Sequence, residues 1–405
     1  MPTPSAANIP VSARASARGQ ARHIAGYVYF SFICYISIGL PLAVLPPFVH
    51  LRMGYSTVLA GLAISIQYIA TLASRPWAGR ISDHLGAKVS VLWGMACCTL
   101  SGASLVGVAA LREVHWLSFS VLIVSRLLLG VGESLGSTGA TLWGITSAGH
   151  EHTAKVIGLN GISAYGGMAL AAPLGVVLDQ QWGLASIGVL TILIGAASFA
   201  LAWRKDPVTV EPGEHLPFRH VLVRVAPHGM GLALSGVGYS VLATFVTLFY
   251  ASRHWGGAAL CLTAFGIGFI AVRVLFIQTI TRYGGFPVAI ASLVVESAGM
   301  VLLWQAAAPW MAMAGATVTG LGVSLIFPAI GVEAVKRVPE FNRGTALSVY
   351  TAFSDVSFFL VGPTAGAVIG FFGYASVFLF ALVSVVTALG IVVVLKAGNR
   401  GQGSQ

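Results

Sequence analysis

Twelve long apolar runs, almost free of charge, follow one another along this chain. A helix of about 20 apolar residues crosses a bilayer core, so each run is long enough to span one. The spans are predicted over residues 24–49, 56–76, 88–110, 117–141, 155–179, 184–203, 226–250, 258–280, 286–308, 311–334, 344–368 and 373–396. Composition closes the water-soluble alternative, because 57% of the 405 residues are hydrophobic and only 8% are charged, against roughly 25% charged in a typical soluble protein. The fold class that follows is an all-α membrane protein with twelve transmembrane helices.

The formal net charge of +10 does not mark a nucleic-acid surface. Such a surface gathers Lys and Arg on one water-exposed element, whereas here they sit between apolar runs. The charge is a topology signal. With the amino terminus placed inside, inner segments hold 17 of the 22 Lys and Arg residues, Arg75, Arg80, Lys88 and Arg282 among them. Outer segments hold Arg52, Arg112 and Arg253, and Arg126 and Arg273 lie within spans. This bias predicts a multi-pass protein with both termini cytoplasmic. Trp116, Trp182, Trp255 and Trp310 fall near predicted outer ends, as interfacial anchors do. Cys34, Cys97, Cys98 and Cys261 lie inside apolar runs away from His clusters, so they read as small packing residues rather than disulfide or metal ligands.

Residues 1–23 are polar and read as a disordered cytoplasmic leader. The run that follows is too long for a signal-peptide core, and its Pro41, Pro46 and Pro47 suggest a bent helix. The longest polar interruption, 204–225, contains Asp206, Pro207, Glu211, Pro212, Glu214 and Pro217. It divides the chain into a six-helix bundle over 24–203 and a second over 226–397, with a cytoplasmic tail over 398–405. The halves echo each other weakly. Ala172-Pro173-Leu174-Gly175 in helix five answers Gly362-Pro363 and Gly366 in helix eleven, and matching Gly86 to Gly285 puts Asp83 opposite Arg282. Two pseudo-symmetric bundles joined by a linker are the layout of a carrier that opens to each side of the membrane in turn.

Charge inside the membrane marks function or a specific partner, since burying an Arg costs about 2.5–3.5 kcal/mol on the mildest scale. Helix four carries Arg126 and, seven residues on, Glu133. They lie about 10 Å apart on nearly one helix face, too far for a simple bond but close enough to share a cavity. A structural pairing with neighbouring helices is the alternative. The second half carries Arg273, Glu296 and Asp355. Arg273 is expected to pair with one of the two acids, and the sequence leaves the choice open. Glu333, a turn from Lys336 and Arg337, reads as a gate or anchor. Tyr35, Gln67, Asn160, Tyr165, Tyr239 and Thr244 are candidate substrate-cavity residues, with ordinary packing as the alternative.

The segment Gly79-Arg80-Ile81-Ser82-Asp83-His84-Leu85-Gly86-Ala87-Lys88 resembles the cytoplasmic loop signature of the major facilitator superfamily. Gly79, Asp83, Gly86 and Lys88 match it, while His84 and Ala87 depart from its basic positions. Arg126 and Gly130 resemble the superfamily's helix-four pattern of an Arg followed four residues later by Gly. The resemblance implies the major facilitator fold, a monomer, and a gate formed by Gly79, Asp83, Gly86 and Lys88 in which Asp83 meets the start of helix eleven. A carboxylate is favoured at such a helix amino terminus in any case. It also implies that Tyr35 and Tyr239 stand on cavity-lining helices. Superfamily antiporters often carry Gly-Pro followed two residues later by Gly-Gly in helix five. Ala172 to Val177 keeps part of that pattern, and Gly362-Pro363-Thr364-Ala365-Gly366 in helix eleven is closer. Beyond the leader the chain resembles the bacterial efflux-permease branch, including members likened to arabinose exporters. The spans are poor in amides for a sugar site.

The expected function is therefore proton-coupled export of a small organic solute across a bacterial inner membrane, with Glu133 carrying the proton and Asp355 the second candidate. Import of a small anionic metabolite is the alternative, for which Arg126 and Arg273 speak. The expected partners are a small-molecule substrate and membrane lipid, without nucleic acid. No cofactor or metal is called for, and a proton gradient supplies the energy. A phosphate-binding loop ending in Gly-Lys-Ser or Gly-Lys-Thr, which an ATP-driven pump needs, does not occur. Nor does a constellation that would suggest an intramembrane enzyme.

Overall fold

The computed structural model describes residues 11–149, 153–208, 218–338 and 343–402, with side chains except at 11–22, 83, 153–155, 218–219, 343–345, 347–348 and 400–402. Among the described residues twelve helices are long and apolar enough to cross a membrane. They are α1 (His23–Arg52), α2 (Thr57–Ser82), α3 (Ala87–Ala110), α4 (His115–Ala148), α5 (Val156–Trp182), α6 (Leu184–Arg204), α7 (His220–Ser252), α8 (Ala259–Phe276), α9 (Gly285–Trp304), α10 (Pro309–Val335), α11 (Val349–Phe372) and α12 (Ser376–Asn399). The chain enters α1 and leaves α12 on one side, called here the termini side.

The helix ends correct several expectations. The helical backbone leading into α1 starts at Val11. That stretch is rich in Ala and Arg, which are strong helix formers. At the other end of α1 the chain turns after Pro41 and finishes in a π-helical turn, Phe48–Arg52. Prolines without an amide hydrogen force such a change of hydrogen bonding. Helix α2 continues through Pro76, so Arg75 and Arg80, assigned above to an inner segment, are helical residues of the span. Helix α8 stops at Phe276, short of the expected 280, and a separate turn, Thr279–Tyr283, follows. Residues 209–217 of the expected linker lie outside the described residues, and helix resumes at Phe218.

Two glycines fix the register between the halves. Gly86 begins α3 at φ +94° and Gly284 begins α9 at φ +84°, a left-handed conformation that only glycine adopts readily. Gly86 therefore matches Gly284 rather than Gly285, and Asp83 stands opposite Thr281 rather than Arg282.

Packing follows a pseudo-twofold scheme. In the first bundle α3 packs on α4 and α6, α1 on α4 and α5, and α2 on α4. In the second, α9 packs on α10 and α12, α7 on α10 and α11, and α8 on α10. Adding six to each helix number of the first set gives the second. The bundles meet along two seams, α2 with α11 and α5 with α8, which the same operation exchanges. One large apolar core joins both bundles, from Phe30 and Leu129 to Phe245 and Phe378.

Candidate functional site: the α2–α11 seam and its buried charges

The α2–α11 seam is closed from Thr57 to Arg75. On the side away from the termini, Thr57 Oγ1 donates to the Gly366 carbonyl at 2.7 Å. One turn deeper, Gly61 and Gly362 meet backbone to backbone, and a Cβ on Gly362 would lie 2.5 Å from the Gly61 carbonyl oxygen. Near the middle, Tyr68 packs on Phe358 with ring centroids 5.0 Å apart. Toward the termini side, Arg75 clasps Asp355 with two hydrogen bonds, Nη2 to Oδ1 at 3.0 Å and Nε to Oδ2. The partner of Asp355 is thus an Arg of the opposite bundle, and the expected Arg273–Asp355 pair does not form.

Behind this ion pair the sequence builds a polar face. Gln67, Thr71 and Arg75 recur every four residues, so one side of α2 presents all three to its neighbours. Parallel to them, α4 presents Arg126, Gly130 and Glu133. Arg126 is fully buried and donates Nη2 to Gln67 Oε1. Its Nε and Nη1, and Gln67 Nε2, have no hydrogen-bond partner among the described residues. The Thr71 hydroxyl lies 3.3 Å from Glu133 Oε2 and 3.1 Å from the carbonyls of Gln67 and Gly130. Its single hydrogen can satisfy only one of them at a time. Glu133 stands in electrostatic reach of Asp355, Arg75 and Arg126, and of the phenols of Tyr35 and Tyr68. Arg126 and Glu133 share one site without a direct bond.

Sequence reasoning missed Arg75, Thr71 and Tyr68. The four-residue repeat from Gln67 was the available signal, but Arg75 beside Pro76 reads as the end of a span.

The α5–α8 seam is aromatic. Tyr165 lies 4.0 Å from Phe269 and 5.3 Å from Tyr239, centroid to centroid, and Phe265 joins them. Thr263 Oγ1 donates to the Ala169 carbonyl at 3.0 Å, and Tyr239 Oη donates to Met168 Sδ at 3.1 Å. A cavity of about 10 Å³ remains among Leu42, Tyr165, Met168, Tyr239 and Phe265, which is room for about one water. Tyr165 and Tyr239 therefore face the seam. Thr244 is buried in α7, and Asn160 keeps a buried Oδ1 without a partner among the described residues.

Of the remaining charges of the second half, Arg273 lies at the α5–α8 seam, facing Gly161 and Tyr165 of α5, and Glu296 lies inside the second bundle. Arg273 lays its guanidinium over Phe269, 4.9 Å from the ring centre, and has no carboxylate partner among the described residues. A planar guanidinium is suited to an aromatic face. Glu296 is fully buried, and both of its oxygens lack a partner among the described residues. It is cradled by Gly238, Met300 and Gly322 inside the second bundle, because α9 packs on α10 and α12 and away from the seams. The expected pairing of Arg273 with Glu296 does not form either.

Two of the gate candidates, Lys88 and Glu333, serve helix ends. Lys88 Nζ donates to the carbonyls of Trp203 and Lys205, each at 2.7 Å, and so caps the carboxyl end of α6. Just past that end the Lys205 ammonium sits over the Tyr27 ring at 4.3 Å, and its partial burial lowers its pKa. Glu333 Oε1 accepts from the Gly285 amide at 3.0 Å and from Lys336 Nζ at 2.8 Å, which ties α10 to the amino end of α9. A Cβ on Gly79 would meet nothing within 4 Å. The side chain of Asp83, the principal gate candidate, lies outside the described residues. Among the described residues no group of three or more His, Cys, Asp or Glu side chains is placed to hold a metal ion.

Two six-helix bundles that meet along exchangeable seams, with charges buried along them, have the architecture of a secondary transporter. The sequence profile of the Major Facilitator Superfamily matches residues 27–280 and 229–403. The chain is 52% identical over 380 residues to an uncharacterized MFS-type transporter of Pseudomonas aeruginosa (strain UCBPP-PA14), covering 94% of both chains. It is 51% identical over 372 residues to another of Burkholderia mallei (strain SAVP1), covering 92% of this chain and 91% of the relative. Among solved structures, the human organic anion transporter MFSD10 (TETRAN) is similar with a TM-score of 0.70 and 15% identity over 92% of this chain and 99% of that one. A point mutant of the nucleoside transporter NupG is similar with a TM-score of 0.74, again at 15% identity and with the same coverage, 92% and 99%. At that identity the likeness is one of fold. The protein belongs to the major facilitator superfamily and moves a small solute across a membrane.

Proposed function

We propose that the protein is a proton-coupled exporter of a small organic solute, with both termini in the cytoplasm, in which Glu133 takes up and releases the proton. The observation that carries this reading is the position of Glu133. It is a buried acid held by one shared hydroxyl, within electrostatic reach of the Arg75–Asp355 pair that joins the two bundles. With both acids ionised, Arg75 and Arg126 are balanced by Glu133 and Asp355. Protonation of Glu133 removes one negative charge from the reach of Arg75, so Arg75 is left facing Asp355 alone, and the bond across the seam changes in strength. A change of protonation thereby biases whether α2 and α11 stay together, which is what coupling requires. Export is favoured by Gly362-Pro363 of helix eleven and by the partial pattern Ala172-Pro173-Leu174-Gly175 of helix five, and the efflux-permease branch rests on that same resemblance.

A second reading, import of a small anion, has one observation in its favour. Arg126 keeps two buried donors, Nε and Nη1, without a partner among the described residues. A screen of deletion and overexpression strains against chemically diverse compounds identifies the solute, and vesicle transport of the hit then gives the direction. Loss of solute from cells that depends on the protein and on the pH gradient is the expected result. Accumulation that depends on the protein would replace the export reading with the import one.

A further inference from the structure

On the termini side of the second bundle, away from both seams, the structure leaves a cavity of about 370 Å³. Arg224, Pro227 and His228 of α7, Arg337 just beyond α10 and Leu395 of α12 line it. The volume lies within the roughly 300–1,000 Å³ of small-ligand sites. His228 is only 2% exposed, and both of its ring nitrogens lack a hydrogen-bond partner among the described residues. Its ring centre is 6.1 Å from that of Phe286, which backs it on the α9 side. A neutral imidazole always carries one N–H donor, and a buried donor calls for an acceptor. Arg224 stands one turn before His228 on the same face of α7. Arg337 Nη2 donates to Asn399 Oδ1 at 3.0 Å, which anchors that guanidinium at the rim. The carboxylate in electrostatic reach of His228 among the described residues is Glu333, already engaged by Lys336 and the Gly285 amide.

Two guanidinium groups, which carry donors only, line one cleft together with an imidazole that carries one N–H donor and one acceptor nitrogen, and the planar fork of Arg matches the oxygens of a phosphate. Pro227 and Leu395 give the cleft apolar walls at the helix ends, where phospholipid headgroups lie. We propose that this cavity binds a phosphate-bearing anion, whose source is either the headgroup of a membrane phospholipid or a soluble phosphate. Such a ligand would bridge α7, α10 and α12 and so hold the second bundle together as one body.

The test uses the purified full chain in detergent, stripped of native lipid, and reads its thermal midpoint and its bound-ligand mass by native mass spectrometry. The probes are phosphatidylglycerol, a diacylglycerol with the same acyl chains, and inorganic phosphate. The expected result is saturable stabilisation by phosphatidylglycerol that the phosphate-free diacylglycerol does not reproduce, and at least tenfold weaker binding in Arg224→Gln. Stabilisation by inorganic phosphate alone, lost in the same variant, supports the site with a soluble source. Equal responses to phosphatidylglycerol and diacylglycerol with none to inorganic phosphate would overturn the proposal in the wild-type protein alone, whatever the fate of the variant. Undiminished phosphatidylglycerol binding in a folded Arg224→Gln/Arg337→Gln double variant would overturn it as well.

Discussion

The two bundles repeat each other helix for helix, yet they hold charge in different ways. In the first, the Cys34 and Cys98 sulfurs lie 4.0 Å apart, and Cys98 packs against Gly132 of α4. The matching place in the second, between α7, α9 and α10, holds Glu296 among Gly238, Met300 and Gly322. The first bundle gathers Arg75, Arg126 and Glu133 on faces that reach the seam. The second keeps Glu296 turned into its own interior, lends Asp355 to the α2–α11 seam, and sets Arg273 at the α5–α8 seam over an aromatic ring, without a carboxylate partner among the described residues. Symmetric packing therefore does not imply symmetric chemistry. The α2 and α4 faces bring charges of both signs together, whereas α8 and α9 separate theirs.

The sharpest way to break this contrast is at the ion pair itself. Removing one partner of a buried pair costs about 3–5 kcal/mol, so Asp355→Ala is expected to lower transport by roughly a hundredfold or more. The exchanged pair, Arg75→Asp with Asp355→Arg, should recover much of that loss. A double variant no better than either single change would mean that the pair does not link the bundles. A smaller effect is expected at the glycine contact. Gly362→Val places atoms against the Gly61 carbonyl and the Ser65 side chain, and overpacking of this kind costs about 1–3 kcal/mol. With the native cysteines removed, a reporter cysteine at Ser65 should then be labelled faster from the side away from the termini. Unchanged protection would show that the seam does not need this close approach.

The twelve spans were legible because bilayer thickness sets the length of an apolar run. The shared face of Arg126 and Glu133 was legible from their seven-residue spacing. The partner of Asp355 was not, because pairing across bundles depends on where α2 and α11 approach, and nothing in either helix records that. Arg75 was hidden by its neighbours, since Pro76 and Arg80 read as the start of a loop. The one-residue register between the halves was hidden for another reason. Gly284 and Gly285 are the same residue in sequence, and only the backbone conformation tells which of them starts α9.

Two changes should matter less. Lys88→Met removes a cap from α6 and is expected to cost about 1 kcal/mol, seen as a slightly lower thermal midpoint with proton coupling intact. Loss of coupling without loss of stability would instead give Lys88 a part in gating. Glu296→Gln keeps the shape of a side chain that meets no cation among the described residues, so transport should stay within about twofold of wild type and stability within about 1 kcal/mol. A defect in proton coupling in this variant would erase the difference between the bundles.

The central claim is that the seam-facing acid of the first bundle carries the proton. In proteoliposomes containing Glu133→Gln and a solute identified by the screen, transport driven by an imposed pH gradient is compared with solute exchange at equal pH on both sides. The amide mimics the protonated acid, so gradient-driven transport should be abolished while exchange persists, because exchange does not require the proton to leave. Gradient-driven transport at the wild-type rate in Glu133→Gln would contradict the account.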